Sequence, residues 1–366
     1  MTRFLRFASA VGRNRLGWVA APAWCTYLVT YRCNARCGMC DSWRMKPGAE
    51  LTVSEVRGVF EKLGHLDVVR VSGGEPFLRE DIEGVVDAIM AVSRPLVLHV
   101  TTNGSLPDRV EPFASRFRQP KRLSIMVSLD GHRDVHDANR GADVTYDRAF
   151  DTIRRLVRLR RSRGIDVSVN YTVISPTSVE DAIRVRGELS ALGVDMHIVL
   201  AYSGSATYDL RLRGKRADHL IVPSGYPLHP DLVGADVIGL VERELSSART
   251  LSSRLRRMGK VYYLQGLLAR LRRDPQPRPN PKCVELRSHV RIMPDGSVPV
   301  CQFNGETVGN LNTASREDVL NSPAATRARS WVDACSGCWA ECEVIPSAIY
   351  SGDLLIRRRP RSPPRQ

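Results

Sequence analysis

Six short runs of mostly apolar residues recur between residues 25 and 201, and helical patterns separate most of them. Such runs are typical of strands that are buried on both faces of a sheet. Their alternation with helices predicts an α/β fold with a parallel sheet, either doubly wound or an incomplete (β/α) barrel. The predicted strands are 25–31, 67–73, 96–102, 122–129, 165–174 and 194–201.

The intervening segments carry the signals of helix ends. Thr52 and Glu55 have the spacing of a capping box, in which each side chain accepts a bond from the other residue's backbone. Gly164 and Gly193 stand where two helical patterns end, as is common at helix C-termini. The predicted helices are 52–64, 79–92, 145–164 and 178–193.

Eight of the nine cysteines fall into two groups, with none between Cys40 and Cys283, and the ninth, Cys25, lies on the first predicted strand. A disulfide framework is usually denser and belongs to a smaller secreted chain. No uninterrupted apolar run reaches about 18 residues, so we expect no transmembrane helix. The first 23 residues read poorly as a signal peptide, because Arg13, Asn14 and Arg15 interrupt their apolar stretches. These features predict metal ligation by cysteine in a reducing cytoplasm.

The first group, Cys33, Cys37 and Cys40, has the spacing C-x3-C-x2-C and directly follows the first predicted strand. A structural zinc site uses four protein ligands, and a cluster closed by protein also needs four. Three thiolates on a cubane cluster leave one iron open to an outside ligand. The motif GGEP, residues 73–76, follows the second strand, so both motifs lie where parallel α/β folds place their chemistry.

The cysteine triplet and GGEP together resemble the radical S-adenosylmethionine (radical SAM) superfamily, whose cluster loop reads C-x3-C-x-aromatic-C. The chain departs from that pattern at Met39, which is apolar and polarizable but not aromatic. Two further stretches support the resemblance, which covers roughly residues 24–202. They are TTNGS at 101–105 and SLDGHRDVHDANRG at 128–141.

The resemblance implies a partial (β/α)6 TIM-like barrel whose triplet cysteines hold a 4Fe-4S cluster. It implies that the open iron binds the amino and carboxylate groups of S-adenosylmethionine. GGEP is implied to meet the amino group of that cofactor, and further residues are implied to face it from the neighbouring strands. The implied cofactor-binding residues are Gly73, Gly74, Glu75, Pro76, Asn103, Ser128 and Asp130.

The second group of cysteines surrounds a predicted hairpin that turns on Asp295 and Gly296. This arrangement resembles the auxiliary-cluster domains of the SPASM and twitch families, and the shorter twitch pattern implies one auxiliary 4Fe-4S cluster. Its implied ligands are Cys283, Cys301, Cys335 and Cys338, with Cys342 as an alternative ligand or a spare. Four thiolates at this spacing would also suit zinc.

The sequence divides into six predicted segments. Proline-rich residues 274–282 separate the helical patterns from the second cysteine group, and the tail is rich in proline and arginine. The segments are a lead-in (1–23), the radical SAM core (24–202), a variable helical region (203–273), a linker (274–282), a small auxiliary-cluster domain (283–345) and a basic disordered tail (346–366).

The net charge of +15 does not by itself indicate a nucleic-acid partner. Arginine outnumbers lysine by 48 to 6, and the charge is spread along the chain rather than confined to one stripe. Residues 250–273 form a basic amphipathic pattern, which favours an ordinary surface helix over contact with a membrane. We therefore expect neither nucleic acid nor a membrane as the main partner.

These features predict a radical SAM enzyme that takes hydrogen from a substrate through a 5′-deoxyadenosyl radical. Flavodoxin or ferredoxin is the expected reductant. The substrate stays open between a peptide, a small alcohol or sugar, and a lipid; no peptide-docking domain is recognised in residues 1–23, which weighs against a peptide. The rival hypothesis is a non-catalytic iron–sulfur electron carrier or a zinc-stabilised binding module. No catalytic acid or base is assigned.

Overall fold

The computed structural model describes residues 3–355 except 20, 47, 142, 176–177, 203, 206, 208–231 and 233. Its centre is a seven-stranded parallel sheet in the order β6-β5-β4-β3-β2-β1-β7. The first six strands follow one another in chain order, as the alternating pattern predicts. They are β1 (Trp24–Leu28), β2 (Val68–Ser72), β3 (Val97–Thr102), β4 (Leu123–Leu129), β5 (Asp166–Val173) and β6 (Asp195–Leu200).

Helices cover the sheet and bury its apolar face in one core. Val69, Val100 and Ile125, on three neighbouring strands, are fully buried in that core. The helices of the first part are α1 (Arg3–Arg15), α2 (Val53–Leu63), α3 (Ile82–Ser93), α4 (Pro107–Arg116), α5 (Arg133–Arg140), α6 (Tyr146–Arg163) and α7 (Ser178–Ala191). They are followed by α8 (Ala235–Arg249), α9 (Arg254–Leu271), α10 (Arg316–Leu320), α11 (Pro323–Ala334) and α12 (Glu341–Tyr350).

Two of the predicted helix-end signals are confirmed, one at the start of α2 and one at the end of α6. Thr52 and Glu55 form the predicted capping box at the start of α2. Gly164 ends α6 in the left-handed conformation. The predicted helix 79–92 begins three residues late, at Ile82, because the buried Arg79 side chain donates to the carbonyl oxygens of Val29 and Leu51 (both 2.9 Å).

The second cysteine group is joined to the sheet, which the sequence analysis did not predict. Strand β7 (His289–Ile292) pairs in parallel with β1. The chain turns at Gly296 (φ +87°) as predicted, and the N–H of Met293 donates across the turn to the Ser297 carbonyl oxygen (2.9 Å). The antiparallel ladder of β8 (Ser297–Pro299) is formed with β9 (Thr307–Asn310), which was not predicted. Apolar residues on β7 gain more burial beside β1 than a two-stranded hairpin would give them.

The predicted boundary at residue 345 falls inside α12, so residues 346–350 are helical rather than part of a disordered tail. Tyr350 is buried and its hydroxyl donates to Asp67 (2.9 Å). Asn14 of α1 donates to the Tyr350 carbonyl oxygen (3.0 Å). These contacts hold α12 and the lead-in helix together. Residues 356–366 of the predicted tail, and 208–231 of the predicted variable region, lie outside the described residues.

The basic pattern at 250–273 is a helix with a buried apolar side, as expected for packing within the protein. Tyr263 and Leu267 of α9 are buried, and the Tyr263 ring is parallel to Trp339 with centroids 6.3 Å apart. Gly266 permits this contact, because a Cβ there would lie 1.9 Å from the Trp339 ring. No helix among the described residues is long and apolar enough to span a membrane.

Candidate functional site

A cavity of about 1040 Å³ opens at the carboxyl ends of the parallel strands. The three thiols of the first cysteine group, Cys33, Cys37 and Cys40, line it together. Their loop leaves β1, and further walls come from the residues after β2 and β3, from the end of β4 and from α5. The structure thus brings the predicted cluster ligands to the edge of the sheet where parallel strands place binding groups.

The two glycines of GGEP hold the cysteine loop by close backbone contact. The N–H of Gly74 donates to the carbonyl oxygen of Thr30, and the N–H of Glu75 donates to that of Arg32 (both 2.8 Å). A Cβ at Gly73 would lie 2.4 Å from the Thr30 oxygen, and one at Gly74 would lie 2.2 Å from the Arg32 oxygen. Only glycine allows this approach.

The Glu75 carboxylate lies behind the cavity wall rather than on it. It is fully buried and accepts bonds from the N–H groups of Phe77 (3.1 Å) and Asn103 (2.7 Å) and from the Thr102 hydroxyl (2.9 Å). Burial raises its pKa to about 6, although these bonds oppose the shift. Gly73, Gly74 and Asn103 line the cavity, whereas Glu75 and Pro76 support them from behind.

Asp130 has a similar supporting position. Its carboxylate is fully buried and pairs with Arg140, and it also accepts from the Asn139 amide (2.7 Å). Arg140, Asn139 and Ser128 line the cavity, whereas Asp130 does not. Asp130 was a residue that the motif predicted to face the cofactor, whereas Arg140 and Asn139 of the same motif were not predicted as site residues.

The first cysteine group has the donor chemistry of a cluster with one open position. Burial raises the pKa of Cys33 to about 12 and that of Cys37 to about 11. Thiolates are therefore unfavourable here unless a cation among them compensates the charge. Three thiolates facing one roomy cavity suit an iron–sulfur cluster that binds a further ligand, whereas structural zinc needs a fourth protein ligand.

A second, smaller pocket collects four cysteines from the second group: Cys283, Cys301, Cys335 and Cys338. Trp331 is among the apolar side chains that complete its wall. Two backbone N–H groups point at sulfur, from Asn304 to Cys301 (3.3 Å) and from Gly337 to Cys335 (3.4 Å). Four soft donors in a mostly apolar pocket suit the predicted auxiliary cluster, and they would also suit zinc.

Cys342 faces the large cavity rather than the four-cysteine pocket. Its thiol donates to the Gln302 side-chain oxygen (2.6 Å), and Arg291 lies 3.8 Å from the sulfur. Burial raises the pKa of Cys342 to about 12, against the opposing influence of Arg291 and Arg70. Cys342 thus lines a different cavity from the other four, although it packs against the same apolar cluster as Cys301 and Cys338.

A buried group of charged residues lies between the two sites, and no motif in the sequence pointed to it. Glu285 and Glu343 line the four-cysteine pocket, and His289 contacts both carboxylates. Arg291 of β7 pairs with Glu343 (2.6 Å) and lines the large cavity. All four side chains are at most 3% exposed. Such a network ties the auxiliary region to the sheet through complementary charges.

Two family models match the chain. Residues 27–187 match the radical SAM superfamily, and residues 283–339 match an iron–sulfur cluster-binding domain of the SPASM family. The two matched regions contain both cysteine groups except Cys342. They agree with the sites that the structure assembles from those cysteines.

Curated relatives match mainly the first region. A GTP 3′,8-cyclase of Aquifex aeolicus is 31% identical over 185 residues, which are 47% of this chain and 54% of the relative. A pre-heme d1 synthase of Dinoroseobacter shibae is 30% identical over 52% of this chain and 46% of the relative. The mycofactocin maturase MftC of Mycobacterium tuberculosis is 31% identical over 42% and 38%, respectively. The chain spans about half the length of the first two relatives.

Solved structures with low sequence identity share the fold. The enzyme anSMEcpe with bound AdoMet and a Kp18Cys peptide has a TM-score of 0.58 at 14% identity, over 85% of this chain and 83% of that one. Streptococcus suis SuiB bound to S-adenosylmethionine has a TM-score of 0.57 at 15% identity, over 87% and 70%. These similarities confirm the predicted α/β partial barrel with a smaller C-terminal domain.

The matches also confirm the predicted resemblance to the radical SAM superfamily. They confirm that the chain is an enzyme and that its cofactors are S-adenosylmethionine and 4Fe-4S clusters. The chain carries a radical SAM domain at residues 27–187, followed by a SPASM-type iron–sulfur cluster-binding domain at residues 283–339.

Proposed function

We propose that this enzyme removes a hydrogen atom from a substrate held in the large cavity, with the auxiliary cluster assisting by electron transfer or by positioning. The observation that carries the proposal is the shared lining of that cavity by Cys33, Cys37 and Cys40 at the strand ends. When bound, the cluster and S-adenosylmethionine supply a 5′-deoxyadenosyl radical by one-electron cleavage of the sulfur–C5′ bond. A reductant such as flavodoxin or ferredoxin provides that electron.

The protein's own residues position the reactants. The backbone of Gly73 and Gly74 forms the wall beside the cysteine loop, and it suits the amino group of the cofactor. Asn103 donates to the Asn34 side-chain oxygen (2.8 Å), which links the loop after β3 to the cysteine loop. Glu75 fixes Asn103 from behind. Such fixed polar groups orient a reactive cofactor and limit its exposure to water.

The auxiliary site supports the second half of the proposal. The four-cysteine pocket is lined by Glu343, and Glu343 pairs with Arg291 on the wall of the large cavity. The two sites thus share a wall. A fully ligated cluster there has no open iron for the cofactor, so its suitable roles are anchoring the domain and accepting an electron. A peptide or a small metabolite remains the proposed class of substrate.

The test measures 5′-deoxyadenosine by mass spectrometry after anaerobic reduction of the iron-loaded protein with S-adenosylmethionine present. We expect the product from the unmodified protein. The triple variant Cys33→Ala, Cys37→Ala, Cys40→Ala should lose the product and about half of the iron, because the auxiliary ligands remain. Product formation by the triple variant, or unchanged iron per chain, would contradict the proposal and favour an electron carrier.

A further inference from the structure

One row of side chains crosses three adjacent strands on the cavity side of the sheet. Thr26 of β1 is in register with Arg70 of β2 and with Arg291 of β7. Residues in register on neighbouring strands point to the same face, and the strands lie about 4.8 Å apart. All three side chains line the large cavity. Two guanidinium groups therefore flank one hydroxyl on its floor.

The other arginines of the cavity wall have carboxylate partners. Arg140 pairs with Asp130, Arg291 with Glu343, and Arg44 lies 3.6 Å from Asp41. Arg70 differs from them, because no hydrogen bond or ion pair joins its guanidinium to any residue that the structure describes.

The charge of Arg70 contributes to the pKa shifts of two neighbouring side chains. Burial lowers the pKa of His99 well below its usual value, and the charge of Arg70 adds to that shift. Arg70 and Arg291 also oppose the rise that burial causes in the pKa of Cys342. The Arg70 charge therefore acts within the cavity, on the strand next to β2 and on α12.

An arginine stays protonated at any physiological pH, so its charge inside a walled cavity calls for an anion. The planar guanidinium also matches the two oxygens of a carboxylate or a phosphate. Arg70 lies three residues before Gly73, about 10 Å deeper along the strand than the turn that faces the cofactor. The backbone of Arg70 thus stands apart from the turn that faces the cofactor, and the affinity for S-adenosylmethionine tests whether its guanidinium does so too.

We propose that Arg70 binds an anionic group of the substrate, a carboxylate or a phosphate, with Arg291 and Thr26 beside it. This assignment rests on the proposed function only in that the anion belongs to the substrate. It names the chemical class that the cavity selects: a molecule with a carboxylate or phosphate that reaches the Arg70 guanidinium on the cavity floor.

The test uses the iron-loaded protein with S-adenosylmethionine bound, and two probes: radiolabelled inorganic phosphate and radiolabelled succinate. Equilibrium dialysis compares the unmodified protein with Arg70→Gln, Arg70→Lys and the control Arg57→Gln, which removes an exposed arginine of α2. We expect saturable binding near one per chain in the unmodified protein and the control. Binding should weaken about tenfold or more in Arg70→Gln, which loses the charge, and less in Arg70→Lys, which keeps the charge but not the planar fork. The probe that binds more tightly identifies the anion as phosphate or carboxylate.

Three results would overturn the proposal: no saturable binding by the unmodified protein, equal binding by Arg70→Gln, or a tenfold loss of S-adenosylmethionine affinity in that variant. The last result would assign the guanidinium to the cofactor instead. Formation of 5′-deoxyadenosine by the unmodified protein is measured separately. Failure of the anion site and failure of the proposed function are thereby distinguished.

Discussion

Asp130 and Arg140 form a two-point ion pair directly behind the cysteine loop. The Arg140 Nε lies 2.6 Å from Oδ2 of Asp130, and its Nη2 lies 2.9 Å from Oδ1. The carbonyl oxygen of Arg140 accepts the N–H of Arg36, which belongs to the loop. The Asp130 carboxylate therefore supports the cysteine loop indirectly, because it holds Arg140, which bonds to that loop.

We predict that Asp130→Asn destabilises the protein by about 3–5 kcal/mol, because it leaves a buried guanidinium without its counter-charge. The measurement is urea unfolding of the iron-loaded protein without oxygen. The matched control is Asp147→Asn, which removes the partner of the exposed Arg133 and should change little. Equal effects of the two changes would show that the Asp130 pair is no more important than a surface pair.

We predict that Gly74→Ala releases iron from the first cysteine group while the auxiliary iron stays. The new Cβ would lie 2.2 Å from the Arg32 carbonyl oxygen, so the loop must move. Gly58→Ala is the control, because Gly58 lies in α2, where an added Cβ would meet open space, and this change should gain about 0.4–1 kcal/mol. Iron per chain and unfolding midpoints decide the outcome. Full iron content in Gly74→Ala would show that the loop tolerates the shift.

We predict that Cys338→Ala loses the auxiliary cluster, whereas Cys342→Ala keeps it. Cys338 lines the four-cysteine pocket and Cys342 lines the large cavity. Iron and zinc analysis of both variants, with electron paramagnetic resonance of the reduced proteins, distinguishes the two sites. The reverse pattern would make Cys342 the fourth ligand, and zinc near one per chain in the unmodified protein would replace the auxiliary cluster by a zinc site.

We predict a pH dependence of stability from His136. Burial lowers its pKa to about 4, with Arg140 adding to the shift. The unfolded chain, with a pKa near 6.5, then binds a proton that the folded chain does not, so the free energy of unfolding falls as pH falls from 6.5 towards 4. The contribution between pH 6.5 and 5 is about 1.5 kcal/mol.

Urea unfolding at these two pH values tests the assignment. His136 accepts the N–H of Asp130 (3.2 Å), so His136→Asn keeps an acceptor while it removes the titration. We expect this variant to lose about 1.5 kcal/mol of the pH dependence. His65→Asn, at an exposed histidine, should retain it. An unchanged pH dependence in His136→Asn would assign the effect to other groups.

The sequence by itself determined the features that are local along the chain. Runs of apolar residues mark six strands, although only β1 and β4 are buried nearly throughout and β2, β3 and β6 alternate buried with partly exposed residues. Thr52 with Glu55 caps α2 because both partners lie within one turn. The cysteine triplet could be predicted for the same reason, because its three thiols lie on one short loop.

Only the tertiary structure decided which distant residues meet. It placed β7 beside β1, turned Cys342 to the large cavity, and set Glu75 and Asp130 behind the cavity wall. It also aligned Arg70 with Arg291, which are more than 200 residues apart in the chain. The pairing of distant strands and the burial of single side chains depend on the packing of the whole chain. Neither can therefore be predicted from a local sequence pattern.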